Sequence, residues 1–254
     1  FANRFQRRYA IAVNSGTSAL HIAYLSAEID PFSEVLVPAN AYISAISALL
    51  QSNLIPVIVD IDKNSWSMDV ADLERKITPR TRAIVPVHMD GQVGPMNDIS
   101  KIANEHNVKF IEDCGQSHGA LSRDQLTGTF GDAACFGICC RKHIAVGEGG
   151  VVTTDSEHFA DLCRAYAHKG KGPGWFDYRF MGFSYNMTEI QAVLGIHSLN
   201  SFDAELRRRQ RFAEHVSRKL VGLGLVFPEI PVGSTHAYFQ LNFLIPESLV
   251  DKRD

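Results

Sequence analysis

The strongest constraint on the fold is an alternation of two periodicities through residue 155. Short apolar runs rich in β-branched residues, such as SEVLVPA and IPVIVDI, are separated by segments with apolar residues at helical spacing, such as ISAISALLQ and DISKIANEHN. Parallel strands need long crossover connections, which are usually helices. The alternation therefore predicts an α/β fold with a mostly parallel central sheet and helices on both faces.

The remainder of the chain has a different pattern. A Gly-rich break at 170–176 precedes a long helical stretch over 187–220, and a new strand pattern follows at 236–245. The last residues, VDKRD, resemble the start of another helix. We predict a large domain over residues 1–198. Residues 199–254 are expected to form a linking helix and the start of a small α+β domain, which the sequence leaves incomplete.

Composition excludes several classes of protein. The 254 residues are 45% hydrophobic and carry a net charge of −3, which is ordinary globular composition and gives no indication of nucleic-acid binding. Apolar runs fall short of the roughly 20 residues that span a bilayer, and no signal peptide is recognisable, so we expect a cytoplasmic protein. Five irregularly spaced cysteines do not form a disulfide framework. Paired C-x2-C units are missing, so no metal site is predicted.

An anion site is predicted at the stretch NSGTSAL. A strand ends, Gly16 turns the chain, and a helix begins at Thr17. Free backbone N–H groups and the positive end of the helix dipole attract anions at such a start. An ordinary N-cap has the same residues, so this motif alone leaves both readings open.

Two acidic residues end the apolar strand in FIEDCGQSHGA. Ligands of open α/β sheets bind beyond the carboxyl ends of the strands. Side chains alternate along a strand, so one acid faces such a site and the other does not. We predict that Asp113 faces the site and that Glu112 is exposed or forms a salt bridge. Capping of the next turn by Asp113 is the alternative.

Lys142 stands between apolar segments in CCRKHIAVGEGG. The phosphate-loop pattern G-x-x-x-x-G-K-[ST] and the dinucleotide pattern G-x-G-x-x-G are both missing here. A loop charge remains possible for such a lysine. Burial, however, favours the neutral and nucleophilic amine, so Lys142 is a candidate for a Schiff base.

These three features together match the needs of one cofactor. Pyridoxal phosphate requires an amine for its aldehyde, an anion site for its phosphate and a carboxylate for its ring nitrogen. An aromatic side chain packed on the ring would complete the site, and Tyr42 in PANAYIS follows a predicted strand.

The ordered motifs NSGTSAL, VPANAYIS, PVHMDGQ, IEDCGQSHGA, GDAACFGICCRKHIAVGEGG and GFSYNMTEIQAV resemble the DegT/DnrJ/EryC1/StrS family. The resemblance runs from residue 1 to about residue 245. It implies a pyridoxal-phosphate-dependent sugar aminotransferase of fold type I, with Lys142 as the Schiff-base lysine. It further implies cofactor contacts from the following residues: Gly16 and Thr17 to the phosphate, Tyr42 and Asp113 to the ring face and ring nitrogen, and Gln116 to the side of the ring hydroxyl.

The resemblance also implies the reaction and the assembly. An amino group from glutamate or glutamine would pass to a keto sugar or a keto cyclitol, with active sites shared in a homodimer. A related branch of sugar dehydratases has histidine at the lysine position, so Lys142 favours transamination. A third possibility is a regulatory homologue that binds the cofactor without turnover.

Several positions depart from the family pattern. Gly137 replaces a serine that usually binds the phosphate, and His143 replaces the asparagine common after the lysine. Ser184 and Asn186 replace an asparagine and an arginine of a motif expected at the subunit interface. Asp90 stands where tyrosine is frequent, and we expect it to contact a polyhydroxylated substrate.

Overall fold

The computed structural model describes residues 1–174 and 176–246. The strands are β1 (Tyr9–Val13), β2 (Glu34–Pro38), β3 (Ile55–Val59), β4 (Thr81–Ile84), β5 (Lys109–Asp113), β6 (Leu121–Ser122), β7 (Gln125–Leu126), β8 (Ala133–Gly137) and β9 (Gly150–Thr154). The α-helices are α1 (Gly16–Ser26), α2 (Ile43–Gln51), α3 (Val70–Lys76), α4 (Met96–Glu105), α5 (Glu157–Ala167) and α6 (Glu189–Leu220).

Seven strands form one sheet in the order β1-β9-β8-β5-β4-β2-β3. Strands β3, β2, β4, β5 and β8 are parallel to one another, whereas β9 is antiparallel to both of its neighbours. The predicted mostly parallel sheet is confirmed. Strands β6 and β7 form a separate hairpin.

Helices cover both faces of this sheet, as predicted. One face buries Ile11, Val35 and Ile111 against α1, α2 and α5. The other face buries Leu36, Ile84 and Phe110 with side chains of α3, α4 and α6. Neighbouring residues of β5 therefore enter opposite cores, as the alternation of a strand requires. Because both faces of the sheet are buried, the strand sequences are continuous apolar runs.

Glu112 is an organising residue of the fold and not an exposed acid. It is completely buried. Its Oε1 accepts hydrogen bonds from the backbone N–H groups of Phe130 (2.8 Å) and Gly131 (3.1 Å), and its Oε2 accepts one from Gly128 N–H (2.8 Å). The Nε2 of His88 lies 3.2 Å from Oε2. The predicted exposure of Glu112 is wrong, because the 128–131 loop closes over the carboxylate and its donors compensate for burial. The alternative prediction was a salt bridge. The contact with His88 is a salt bridge only when the imidazole is protonated, and otherwise it is a hydrogen bond.

The C-terminal part differs from the sequence-based expectation in one respect. Residues 236–245 were predicted as a strand, but they make only an isolated bridge between Leu244 and Val226. Their backbone N–H groups are used elsewhere: Ala237 donates to the Gly91 carbonyl (2.9 Å) and Phe239 to the Asp90 carbonyl (2.8 Å). The segment therefore crosses the loop after β4.

Helix α6 runs without interruption across the predicted domain boundary at residues 198–199. The division into two domains stays a prediction, and the predicted helix at VDKRD lies outside the described residues. In the part of the chain that the structure describes, no helix combines the length and apolarity needed to cross a bilayer.

Candidate active site

A cavity of about 290 Å³ lies at the carboxyl ends of β5 and β8, where the start of α1 approaches them. All six residues predicted from the sequence to bind the cofactor line it: Gly16, Thr17, Tyr42, Asp113, Gln116 and Lys142. These residues come from four separate segments of the chain. Their convergence at one sheet edge is the arrangement expected for a ligand site in an open α/β sheet.

The start of α1 forms one wall of the cavity. The Ser15 side chain caps the helix by accepting a hydrogen bond from the Ser18 N–H (3.0 Å). The first-turn N–H groups of Gly16 and Thr17 have no acceptor within the helix, so they are available to an anion. Both readings of NSGTSAL thus hold together: Ser15 caps the helix, while the next two residues face the cavity.

Two glycines allow the backbone segments to meet at this wall. A Cβ atom at Gly150 would lie 2.1 Å from the Ser15 carbonyl oxygen, and a Cβ at Gly16 would lie 3.0 Å from the Gly137 Cα. Any side chain at Gly150 would push the start of α1 away. The last glycine of the GEGG motif is therefore required by packing against the anion site.

Asp113 faces the cavity, as predicted, and it also meets the alternative reading. Its Oδ1 accepts a hydrogen bond from the Gly115 N–H at 2.9 Å, which caps the turn after β5. Burial raises the pKa of Asp113, while the Gly115 hydrogen bond and the nearby charges of Lys142 and His88 act in the opposite direction. A cationic partner in the cavity would favour the ionised carboxylate.

Lys142 extends into the same cavity. Burial lowers its pKa, and the nearby Cys139 and Asp113 oppose that shift. Its Nζ lies 4.0 Å from the centroid of the Phe239 ring. An ammonium above an aromatic face is held by a cation–π interaction. A lysine with lowered pKa has a larger neutral fraction near pH 7, which is the nucleophilic form.

Gln116 and Tyr42 complete the lining. The Gln116 Oε1 accepts a hydrogen bond from the Asp90 N–H (2.8 Å), and its Nε2 lies 3.4 Å from the Met89 Sδ. The side chain is therefore fixed by the loop after β4. Tyr42 precedes α2 and is 56% exposed, so its ring borders the open side of the cavity.

His143 follows Lys142 but is not among the residues that line the cavity. It is buried, and its Nε2 donates to the Ala237 carbonyl at 2.7 Å. This contact ties the lysine segment to the C-terminal residues that carry Phe239. His88, Glu112 and Cys114 form a buried group whose side-chain polar atoms lie close together. Since Glu112 already accepts three backbone hydrogen bonds, we interpret that group as structural.

Several lining residues were missed by sequence reasoning. Ser15, Arg141 and Glu148 line the cavity too, although they lie inside the motifs NSGTSAL and CCRKHIAVGEGG and were given no role there. They could have been found by taking every polar residue of those motifs as a candidate. Phe239, which contacts the Lys142 amine, could not have been found in this way, because it lies 97 residues from Lys142 and only the fold brings the two together.

These residues fit pyridoxal phosphate. One cavity combines an amine of lowered pKa, a buried carboxylate and a free helix N-terminus. Gly137 also lines the cavity, and it has no hydroxyl to offer a phosphate there.

Known proteins resemble this chain along its whole length. The profile of the DegT/DnrJ/EryC1/StrS aminotransferase family matches residues 1–254. The chain belongs to this family. The resemblance inferred from the motifs is thereby confirmed, and so is the assignment as an aminotransferase.

Named relatives of this aminotransferase act on sugars. The GDP-perosamine synthase of Caulobacter vibrioides is 37% identical over 259 residues, which cover 100% of this chain and 69% of the relative. The UDP-N-acetyl-3-dehydro-alpha-D-glucosamine 3-aminotransferase of Acidithiobacillus ferrooxidans is 36% identical over 235 residues, covering 91% of this chain and 63% of that protein.

Solved structures confirm the fold-type-I architecture. A DegT/DnrJ/EryC1/StrS aminotransferase from Brucella abortus superposes with a TM-score of 0.92 at 27% identity, covering 97% of this chain and 68% of that one. S. venezuelae DesV, solved in complex with a ketimine intermediate, has a TM-score of 0.93 at 28% identity, with coverages of 99% and 70%. The aminotransferase chain thus spans about two thirds of these proteins.

Ser184 and Asn186 lie on an exposed segment before α6. The backbone of Ser184 forms an isolated antiparallel β-bridge with His168. The Asn186 Nδ2 lies 3.0 Å from the His168 Nδ1. Both residues are exposed in this chain, and their contribution to a neighbouring subunit stays a prediction.

His143 makes the stability of the aminotransferase depend on pH. Burial lowers the pKa of His143 to about 4, from an ordinary value of 6.5. Between these values the unfolded chain holds a proton that the folded chain does not, so stability falls as the pH falls. We expect this one group to remove up to about 3 kcal/mol between pH 6.5 and pH 4. Urea denaturation across this range should show a shallower pH slope for His143→Asn than for the unmodified protein.

The exposed His106 is the matched control, since His106→Asn should retain the full slope. Equal slopes for His143→Asn and the unmodified protein would show that His143 titrates normally in the folded state.

Proposed function

We propose that this chain carries the catalytic centre of a pyridoxal-phosphate-dependent aminotransferase that aminates a keto sugar or keto cyclitol. The observation that carries the proposal is the single cavity shared by Lys142, Asp113 and the start of α1. The named relatives support the substrate class, since they include a GDP-perosamine synthase, an aminotransferase for a UDP-linked dehydro sugar and a putative L-glutamine:3-amino-2,3-dideoxy-scyllo-inosose aminotransferase.

Each residue has a defined task in this proposal. Gly16 and Thr17 would bind the phosphate through their N–H groups, Tyr42 would border the ring, and Asp113 would hold a proton on the ring nitrogen. When bound, pyridoxal phosphate supplies an electron sink for the carbanion that forms at the reacting carbon.

Lys142 would bond the cofactor aldehyde and, once displaced by the amino donor, act at the substrate. Its Nζ is partly desolvated and its pKa is lowered, so the neutral amine can accept a proton from the reacting carbon and return it. Phe239 limits where that Nζ can move. Glutamate or glutamine is the proposed donor, and cytoplasmic location remains a prediction.

Two alternatives are distinguished by simple measurements. A sugar dehydratase would not need the lysine amine, and Lys142 in the cavity argues against it. A non-catalytic homologue would bind the cofactor without passing nitrogen from donor to acceptor, so turnover with glutamate and a keto sugar separates it from an enzyme.

The first test replaces the amine. Lys142→Ala should abolish the visible absorbance band of lysine-bound cofactor and reduce the amination of keto sugars by at least about 10³-fold, because both need the same Nζ. Absorbance of the cofactor-loaded protein and a glutamate-dependent amination assay measure the two effects. His143→Asn, which changes the next residue but leaves the amine, should keep the band. A band that persists in Lys142→Ala would contradict the assignment.

Gly137 provides a second test. A Cβ atom there would lie 3.8 Å from both the Gly16 Cα and the Lys142 Cε, which is ordinary contact. Gly137→Ser should therefore fit and add a hydroxyl hydrogen bond to the phosphate. A hydrogen bond to a charged group contributes about 1.5–3 kcal/mol, so cofactor affinity should rise at least about tenfold in equilibrium titrations.

Gly137→Ala is the matched control, since it adds the carbon without the hydroxyl. Affinity should then stay within about twofold of the unmodified protein. Equal gains for serine and alanine would show that backbone stiffening, not the hydroxyl, is responsible.

A homodimer with shared active sites is part of the proposal. The first turns of α6 expose Ile190 and Val193, which are 77% and 66% accessible. The Gln191 Nε2 donates to the carbonyl of Glu148, a residue that lines the cavity, at 2.6 Å. This apolar surface thus adjoins the active site, as a shared site requires.

The dimer is tested by placing a charge on that surface. Val193→Glu should shift the protein toward monomer in sedimentation equilibrium, because an unpaired carboxylate in an apolar interface is strongly unfavourable. Asn104→Glu adds the same charge at an exposed position of a different helix, α4, and should leave the mass unchanged. A monomeric unmodified protein, or a Val193→Glu dimer of unchanged affinity, would refute the proposed interface.

A further inference from the structure

One aromatic side chain of the C-terminal segment contacts the amine of Lys142. The Lys142 Nζ lies 4.0 Å from the centroid of the Phe239 ring. Across residues 1–174 and 176–246, no hydrogen bond or ion pair reaches this Nζ, and Asp113 acts on it only through its charge. The ring face of Phe239 is therefore the group that holds the end of the lysine side chain.

Hydrogen bonds fix the segment that carries the ring. The Phe239 N–H donates to the Asp90 carbonyl at 2.8 Å. The His143 Nε2 donates to the Ala237 carbonyl at 2.7 Å, so the residue after the lysine is bonded to a residue two positions before the ring. The backbone on either side of the contact is thus held in place.

An arginine of α6 joins the same two segments a second time. The Arg209 Nη2 donates to the Arg141 carbonyl at 3.3 Å, and its Nη1 lies 3.5 Å from the Phe239 carbonyl oxygen. Glu205, one turn earlier on the helix, orients this guanidinium by accepting from its Nε at 2.7 Å. The amine and the ring are carried by segments that are bonded to each other, so the fold sets the distance between them.

A ring face holds an amine differently from a carboxylate. A carboxylate at this distance would form an ion pair and favour the protonated amine strongly. The face of an aromatic ring attracts an ammonium more weakly and also packs against the neutral amine. Burial still lowers the pKa of Lys142. An amine held by Phe239 is therefore able to lose and regain a proton.

We propose that Phe239 is a positioning residue of the reaction, whose ring face receives the Lys142 amine whenever that amine is not bonded to the cofactor. The inference rests on the proposed function, in which the amino donor displaces the amine and the amine then moves a proton at the reacting carbon. The ammonium formed when Nζ accepts this proton meets the negative face of the ring. Phe239 thereby restricts Nζ to positions from which the proton can be returned.

The contact is tested first in the cofactor-free protein, without any turnover. The rate at which Lys142 reacts with acetic anhydride is measured against pH by mass spectrometry of the peptide that contains it. The midpoint of this curve reports the protonation of the amine. Because the ring favours the ammonium, Phe239→Leu should shift the midpoint to lower pH by about 0.5–1.5 units. Phe239→Tyr keeps the ring face and should stay within about 0.3 units of the unmodified protein.

Phe243→Leu is the matched control. Phe243 belongs to the same segment but packs against Phe227, at a centroid distance of 5.6 Å, so its loss should leave the midpoint unchanged. Pentafluorophenylalanine at position 239 is an independent second substitution, because it keeps the shape of the side chain and removes the negative ring face. It should lower the midpoint at least as far as leucine does, whereas a ring that acts only by packing would leave the midpoint in place.

The positioning role is tested in the cofactor-loaded protein. Phe239→Leu should keep the absorbance band of lysine-bound cofactor, since the amine is still present. The loss of this band on addition of glutamate should be about ten- to a hundredfold slower, because the released amine is no longer held in place. Phe239→Tyr should restore this rate to within about threefold of the unmodified protein.

The inference is overturned if Phe239→Leu matches Phe243→Leu in either the midpoint or the rate with glutamate. The acetylation curves do not involve the cofactor, so failure of the contact and failure of the proposed function are distinguishable. A Lys142-dependent absorbance band together with unchanged values in Phe239→Leu refutes the role of Phe239 and leaves the aminotransferase assignment intact.

Discussion

The close approach of three backbone segments at Gly150 is the constraint on which the active site depends. Gly150 pairs with Val13 of β1 on one side and with Gly137 of β8 on the other. Its missing side chain lets the Ser15 carbonyl lie within 2.1 Å of where a Cβ would stand. The start of α1 is thereby held against the end of β8. A helix N-terminus binds an anion only when it faces the rest of the site, so this packing converts a common N-cap into part of a cofactor cavity.

Desolvation then sets the chemistry of the groups that this packing brings together. The same burial raises the pKa of Asp113 and lowers the pKa of Lys142, so each group is moved toward its neutral form. The charge of each group favours the charged form of the other and so opposes the effect of burial. A bound cationic ring would return Asp113 to its ionised form. A lysine whose pKa is lowered, beside a carboxyl group that a bound cation would ionise, suits pyridoxal phosphate. Shifts of this origin are typical of catalytic residues, although structural groups such as His143 show them too.

Much of this site could be predicted from the sequence, because its parts lie at strand and helix ends that local patterns mark. Gly16, Asp113 and Lys142 each follow a recognisable strand or turn signal. Glu112 could not be placed, since its burial depends on a loop 16–19 residues later that supplies N–H donors. Residues 236–245 have a strand pattern, yet their N–H groups bond the loop after β4. An alternation of apolar residues indicates that one side of a segment is buried. It does not show which part of the chain accepts hydrogen bonds from the backbone of that segment.

The loop after β4 holds the surroundings of the Lys142 amine from two sides. Its residue Asp90 has a positive φ, and through its backbone it fixes both Gln116 at the cofactor cavity and Phe239 beneath Lys142. Its side-chain Oδ2 accepts a hydrogen bond from the Asn242 Nδ2 at 2.6 Å, so the C-terminal segment holds Asp90 in turn. Catalytic groups are effective when their positions are set before the reaction, and here one residue away from the reacting atoms helps to set the positions of Gln116 and Phe239 together.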